Sequence, residues 1–214
     1  MSRSYSGVFI AEGSSDAPLA DIVEQLFLRH SVSVNLSRPD FAPLRVAKDV
    51  QSRVAAALRL VGSDVDLIVV HRDADNAGQA ARLAEIENGV QGTTTRARIV
   101  PVVPVRMTEA WLLLDEQVIR HVAGNPNGRS PLPLPRPREA ERIADPKALL
   151  AECLLRAANV TGRKRDRLAK RFGQSRRQLL ERLDLDGPVR ELQGWRQMTA
   201  QVSEISAEWQ DQRR

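Results

Sequence analysis

Short apolar runs alternate with helical patterns along the first half of this 214-residue chain, and this alternation limits its fold more than any other feature. The apolar runs at residues 5–11, 31–36, 65–71 and 99–105 predict four strands. Apolar side chains recur at helical spacing after each of the first two, and a polar helix is predicted over residues 76–87. Strands that alternate with helices form βαβ units with parallel strands. We therefore expect an α/β domain with a mainly parallel four-stranded sheet flanked by helices.

The second half of the chain differs in composition and charge. Residues 124–137 hold five prolines, two glycines and two asparagines, which is typical of a linker. Helical patterns follow, and the net charge changes from −1 over residues 1–135 to +6 over residues 136–214. We therefore predict an α/β domain at residues 1–123, a linker at 124–137, and a basic, all-helical C-terminal region at 138–214.

Acidic turns follow two of the predicted strands. The first strand leads into Glu12-Gly13-Ser14-Ser15-Asp16, and the third leads into Asp73-Ala74-Asp75-Asn76-Ala77-Gly78. In parallel sheets, ligands bind beyond the carboxyl ends of the strands, so Glu12 and the Asp73/Asp75 pair are expected at the same edge. Carboxylates held close together repel one another unless they share a proton or hold a cation. Carboxylates without histidine suit Mg²⁺, so the sequence predicts a metal site here.

Glu109 follows the fourth predicted strand, in the first turn of a predicted helix. Two interpretations are open for it. An acidic residue in a first turn complements the helix dipole, and a carboxylate after a strand end is also a candidate metal ligand.

The two acidic turns together resemble the Toprim domain of topoisomerases, primases and Old-type nucleases, over about residues 5–115. The resemblance implies a Toprim-like, Rossmann-like fold with Mg²⁺ or Mn²⁺ at the site. It implies catalytic and metal-binding roles for Glu12, Asp73 and Asp75, and a second-metal role for Asp16. Old-type nucleases also place a downstream lysine near the scissile phosphate. Lys147 is the candidate here, and a solvated surface lysine is the alternative.

A further resemblance involves residues 102–111, which are similar to a segment of small bacterial Toprim-like proteins. Many of those proteins are thought to act beside ATPase partners in phage defence, which implies a separate ATPase subunit here. The chain has no G-x-x-x-x-G-K-[ST] segment, so ATP hydrolysis would come from that partner.

A dense group of basic residues lies in the C-terminal region, and we call it the basic cluster: Arg163, Lys164, Arg165, Arg167, Lys170 and Arg171. A solvated helix face is one interpretation, and contact with a nucleic-acid backbone is the other. No aromatic residues are interleaved, so we expect any nucleic-acid binding to be sequence-independent and sensitive to salt.

Three functions compete at this stage. The leading hypothesis is a Mg²⁺-dependent nuclease or phosphodiesterase, and the alternative is a non-catalytic Toprim-like sensor or regulatory subunit that binds an ATPase through its helical tail. A haloacid-dehalogenase-like phosphatase is disfavoured, because that family places its Asp-x-Asp pair after the first strand. With no apolar run of ~18 residues and no signal-peptide pattern, a cytoplasmic protein without membrane contact is expected. Whether it forms a homo-oligomer is left open.

Overall fold

The computed structural model describes residues 4–93 and 95–212, which divide into two compact units. The first unit comprises the residues up to Val103 together with those from Arg196 onwards. The second unit is Pro104–Trp195. Each unit is described below by itself.

The first unit alternates strands and helices, as the sequence predicts. Its elements in chain order are β1 (Ser4–Ile10), α1 (Pro18–Arg29), β2 (Ser33–Ser37), α2 (Val50–Val61), β3 (Leu67–His71), α3 (Gln79–Gln91) and β4 (Arg98–Val102). All four strands are parallel, in the order β2-β1-β3-β4. The predicted parallel four-stranded sheet is therefore confirmed, and β1 and β3 are its central strands.

Gly7 allows the central strands to approach closely. It pairs with Leu36 of β2 on one side and with Leu67 of β3 on the other. A Cβ atom at this position would lie 2.7 Å from Leu36 Cδ2 and 2.9 Å from the Leu67 carbonyl oxygen. Any side chain here would therefore displace the neighbouring strands.

Both faces of the sheet are covered, as is usual for parallel sheets. On one face, apolar side chains of β1 and β3 pack with α2 and α3 in a core that includes Val8, Val54, Ile68 and Ile86. The opposite face of β1 carries Tyr5, whose ring stacks on Trp209 with 3.8 Å between centroids. Trp209 belongs to the last helix, α10 (Gln193–Asp211), and also stacks on Phe27 of α1.

The second unit is helical throughout its regular structure. Its helices are α4 (Glu109–Leu112), α5 (Glu116–Val122), α6 (Pro137–Ala140), α7 (Pro146–Ala158), α8 (Gly162–Lys170) and α9 (Phe172–Leu180). Trp111 and Trp195 form its aromatic centre, with rings edge to face and centroids 5.3 Å apart. The predicted helical character of the C-terminal region is thus present, although its helices are distributed over both units.

The predicted linker, residues 124–137, lies within the second unit instead of between the two. Hydrogen bonds fix it there. The Asn125 side chain donates to the Ala157 carbonyl at 2.8 Å, and the Arg120 guanidinium donates to the Ser130 carbonyl at 2.6 Å. Residues 124–136, rich in proline and glycine, form no helix or strand, and Pro137 begins α6, but this composition does not make the segment a spacer between units.

Candidate functional site

Glu12, Asp73 and Asp75, which we call the carboxylate cluster, follow the carboxyl ends of the two central strands. Glu12 comes two residues after β1, and Asp73 comes two residues after β3. Since β1 and β3 are parallel neighbours, these residues lie at the same edge of the sheet, where the sequence places them.

The turn after β3 has a fixed and unusual backbone. Asp75 has φ of +46° and Gly78 has φ of +83°, and both values lie in the left-handed region. The amides of Ala77 and Gly78 donate to the Ala74 carbonyl at 3.1 and 3.2 Å. Helix α3 therefore begins at Gln79, three residues later than predicted, because residues 74–78 form a turn that holds Asp75.

Asp75 is a poorly compensated carboxylate of the cluster. Its Oδ1 atom is buried and accepts no hydrogen bond from any residue in the ranges 4–93 and 95–212. Burial raises the pKa of Asp75, and the charges of Asp73 and Glu12 raise it further, whereas Arg82 and Arg72 lower it. The three carboxylates are therefore close enough to repel one another, as two close acidic groups do.

Two arginines that sequence reasoning missed supply positive charge at this edge. Arg72 Nη1 lies 2.8 Å from Glu12 Oε1, and its Nη2 lies 3.2 Å from Glu85 Oε1. Arg82 donates through Nε to the Asp73 carbonyl at 3.1 Å and through Nη1 to Glu85 at 2.7 Å. The hydrogen bond with Glu85 is the main cause that raises the pKa of Arg82. The position of Arg72, directly before the acidic pair, is the sequence signal that would have found it.

His71, the last residue of β3, lies between two carboxylates. Its Nδ1 is 3.8 Å from Asp16 Oδ2, and its Nε2 is 3.4 Å from Asp73 Oδ1. Asp16 is itself only 6% exposed, at the end of a short 3-10 turn over Ser14–Asp16. Asp16 therefore faces His71, and through His71 it is connected to Asp73.

The suitability of these residues for a metal ion is mixed. Within residues 4–93 and 95–212, no three His, Cys, Asp or Glu side chains are grouped as a metal site requires. The donors nevertheless suit Mg²⁺, because they are carboxylate oxygens and Asp75 Oδ1 is buried without a hydrogen bond. The Glu12 carboxylate would have to leave Arg72 to become a ligand.

Glu109 lies in the second unit, where it forms a buried ion pair. Its Oε1 is 2.8 Å from Arg176 Nε, and the two side chains are 5% and 7% exposed. Glu109 is the first residue of α4, so it also complements that helix dipole. Arg176 satisfies this carboxylate inside the unit, and we leave Glu109 out of the metal site that we propose below.

All six residues of the basic cluster are exposed. Five lie on α8, a helix with no buried residue, and Arg171 follows directly after it. Lys147, the candidate lysine, is exposed in the first turn of α7. These side chains are all free to contact solvent or a ligand.

No helix in the described ranges combines the length and apolar character that a bilayer-spanning segment needs. The Toprim resemblance rests on the residues of the two acidic turns and of the segment over 102–111. Comparisons with protein-family models, with curated proteins and with solved structures give no match.

Proposed function

We propose that this protein is a Mg²⁺-dependent nuclease that hydrolyses phosphodiester bonds with the carboxylate cluster. The proposal rests on the environment of the Asp75 carboxylate. Its Oδ1 is buried without a hydrogen bond, and the charges of Asp73 and Glu12 raise its pKa. A site that concentrates negative charge in this way favours a divalent cation.

Asp73 and Asp75 would hold the metal ion, and Glu12 would join them. When bound, Mg²⁺ neutralises charge on the phosphate oxygens and promotes attack by water. The chain's own residues do the positioning. His71 orients Asp73, and the Arg82 hydrogen bond to the Asp73 carbonyl fixes the backbone that presents it. Arg72, which balances Glu12, is then available to contact a substrate phosphate, a group that arginine binds well.

The basic cluster supports a nucleic-acid substrate. Five of its six positive charges lie on the exposed helix α8, which buries no side chain of its own, and Arg171 follows directly after it. Such a surface contacts phosphates and not bases, so the binding that we propose is independent of sequence.

A nicking assay tests this function. Purified protein is incubated with supercoiled DNA and with single-stranded RNA, in Mg²⁺, in Mn²⁺ and in EDTA. We expect cleavage that depends on the metal and that Asp73→Asn abolishes. Asp64→Asn is the matched control, since Asp64 is an exposed acidic residue outside the site. Cleavage by Asp73→Asn at the wild-type rate would exclude the proposal.

A second candidate function is favoured by Arg72 and Arg82. Because Arg72 already pairs with Glu12, and both arginines lower the pKa of Asp75, the site is also suited to a role without metal turnover. In that case the protein is a regulatory or sensor subunit that binds a separate ATPase through its C-terminal helices, in phage defence. Gel filtration with an ATPase encoded beside it tests this role. Complex formation without any cleavage supports it, and two separate peaks argue against it.

A further inference from the structure

A second concave site lies beside the carboxylate cluster, in the first unit. It is a cavity of about 650 Å³ between the turn after β1, the loop after β2 and the start of α2, and we call it the β1–β2 cavity. This volume is in the range of small-molecule binding sites. Sequence reasoning assigned no function to the residues that surround it, apart from Glu12.

The charge of the β1–β2 cavity is positive. Four basic side chains and two acidic ones line it. Of the two acidic groups, Glu12 pairs with Arg72, whereas Asp40 accepts the amide hydrogen of Ala42 and keeps its negative charge. Of the basic four, only Arg38 forms an ion pair in the described ranges, with Asp21 and Glu24. Arg45, Lys48 and Arg53 therefore contribute three positive charges against the single negative charge of Asp40, and this excess favours an anion.

Arg53 is the strongest sign that an anion binds here. The residue is only 7% exposed, so its charge is almost fully removed from water. Its Nη1 donates to the Ala11 carbonyl, and its guanidinium lies 5.5 Å from the centroid of the Phe41 ring. Its Nε is buried and has no hydrogen-bond partner in residues 4–93 and 95–212. The charge of Arg53 interacts with that of Asp49, but its buried Nε still lacks an acceptor. A buried donor of this kind is costly to leave unpaired, and a bound anion would supply the acceptor.

The remaining walls indicate the kind of anion. Phe9, Pro39, Phe41 and Val46 give the cavity an apolar side that suits a nucleobase or sugar. Guanidinium groups bind phosphate through two parallel hydrogen bonds, and three nearby cations match the double charge of a phosphomonoester. A phosphodiester within a strand has a single charge, and its flanking nucleotides would have to leave a cavity of this kind on both sides.

We propose that the β1–β2 cavity binds a nucleotide phosphomonoester through Arg53, Lys48 and Arg45. The source is the phosphorylated end of a nucleic-acid strand or a free nucleotide. Glu12 lines this cavity and also belongs to the carboxylate cluster, so the bound phosphate lies next to the proposed catalytic site. This link to cleavage rests on the proposed nuclease function, whereas the binding itself does not.

Binding measurements in EDTA test the proposal without any need for turnover. The probes are three fluorescent oligonucleotides of the same sequence, with a 5′-phosphate, a 3′-phosphate or two hydroxyl ends. A nucleoside 5′-monophosphate and inorganic phosphate are measured separately by calorimetry. We expect at least one phosphorylated probe to bind about tenfold more tightly than the probe with hydroxyl ends. Free nucleotide that binds as tightly as the phosphorylated oligonucleotide would identify the nucleotide as the source, and weaker binding would identify the strand end.

Variants then assign the interaction to the cavity. Lys48→Gln and Arg45→Gln change exposed side chains and are expected to fold normally, yet to lose the preference for phosphate. Arg53→Met is expected to do the same, and Arg53→Lys to retain part of the preference. Arg59→Gln is the control, because Arg59 is exposed on the same helix but outside the cavity.

Equal affinity for all three oligonucleotides together with no nucleotide binding would overturn the proposal, and so would equal affinity for nucleotide and inorganic phosphate. If the protein prefers phosphorylated probes but cleaves no nucleic acid, the proposal for the β1–β2 cavity stands and only the proposed nuclease function is rejected.

Discussion

Arg72 Nη1 lies 2.8 Å from Glu12 Oε1, so a guanidinium provides the counter-charge that a metal ion would otherwise supply to this carboxylate. The two residues come from the ends of adjacent strands, β1 and β3. Arg72 Nη1 also donates to the Lys48 carbonyl, and Nη2 lies 3.2 Å from Glu85 Oε1. At the metal site that we propose, Arg72 and the metal ion would therefore compete for Glu12.

Removal of this arginine should strengthen metal binding. We expect Arg72→Met to bind Mn²⁺ more tightly than wild type, because Glu12 then has no competing cation. The thermal stability of the variant should also depend more strongly on metal, since a ligand at 100 times its Kd stabilises the folded state by about 2.7 kcal/mol. Mn²⁺ titration by electron paramagnetic resonance and thermal melts with and without Mn²⁺ measure both effects. Arg59→Met is the control, and Mn²⁺ affinity that is the same in all three proteins would contradict the competition.

Asp75→Asn should lower the Mg²⁺-dependent activity and raise the stability of the metal-free protein. Asparagine accepts the left-handed backbone at this position and removes the charge that is poorly compensated. We expect activity with Mg²⁺ to fall by at least about 100-fold, since even changes outside the ligand shell cost 10–100-fold at metal sites. In EDTA at pH 7, the variant should be more stable than wild type.

The difference in stability between Asp75→Asn and wild type should depend on pH, because the pKa of Asp75 is raised in the folded protein. A raised carboxyl pKa stabilises the fold while the group is protonated, below its unfolded value of 3.8. This contribution is lost as the pH rises through the raised pKa of the folded state. The stability advantage of Asp75→Asn should therefore be largest at pH 7 and disappear near pH 4, as measured by urea unfolding. Asp64→Asn serves as the control, and an advantage that does not change with pH would show that Asp75 is not the cause.

The buried pair of Glu109 and Arg176 makes a different prediction. Glu109→Gln removes the carboxylate charge that faces the buried Arg176 guanidinium, and breaking a buried pair of this kind costs about 3–5 kcal/mol. We expect a large loss of stability, measured by urea unfolding, that Mg²⁺ does not change. Arg177→Gln, which breaks the exposed pair with Glu181 on the same helix, should cost less than about 1 kcal/mol. Normal stability with lost metal binding in Glu109→Gln would restore the interpretation of Glu109 as a ligand.

Neutralising part of the basic cluster should weaken nucleic-acid binding without affecting the fold. A triple variant with Gln at Arg163, Lys164 and Arg165 removes three exposed charges from α8. The slope of log affinity against log salt should fall by about 0.7–0.9 for each phosphate contact that is lost. Fluorescence anisotropy at several salt concentrations measures this slope. The control carries Gln at Arg142, Arg182 and Arg196, which are exposed and outside the cluster. Equal slopes in the two triple variants would show that α8 is only a solvated helix face.

The sheet could be predicted from the sequence because its signal is local. Apolar runs such as residues 65–71 and the helical spacing after them depend on neighbouring residues only, and the parallel order follows from their alternation. That Glu12 and Asp73 lie at the same edge of the sheet could be predicted too, because each comes just after a strand and the strands are parallel. Arg72 was missed because its role depends on contacts with Glu12 and Glu85, which are distant in the sequence.

The organisation of the C-terminal region could not be predicted for a related reason. Proline and glycine at residues 124–137 show only that regular structure is absent. Whether such a segment links two units or lies inside one depends on its distant partners, here Ala157 for Asn125. The apolar spacing of α10 predicts a helix but not the surface on which Trp209 packs.

Trp209 provides the last prediction, because it makes the C-terminal helix a part of the first unit. Its ring stacks on Tyr5 and Phe27, and it is only 4% exposed. We expect Trp209→Ala to destabilise the protein by about 3–5 kcal/mol in urea unfolding. Tyr5→Phe, which keeps the ring and removes the hydroxyl that donates to the Trp209 carbonyl, should cost about 1 kcal/mol. A truncation that removes α10 should then unfold the protein and so abolish any function, and the proposed partner binding must therefore be tested with substitutions at exposed positions. Wild-type stability in Trp209→Ala would show that α10 is a dispensable appendage.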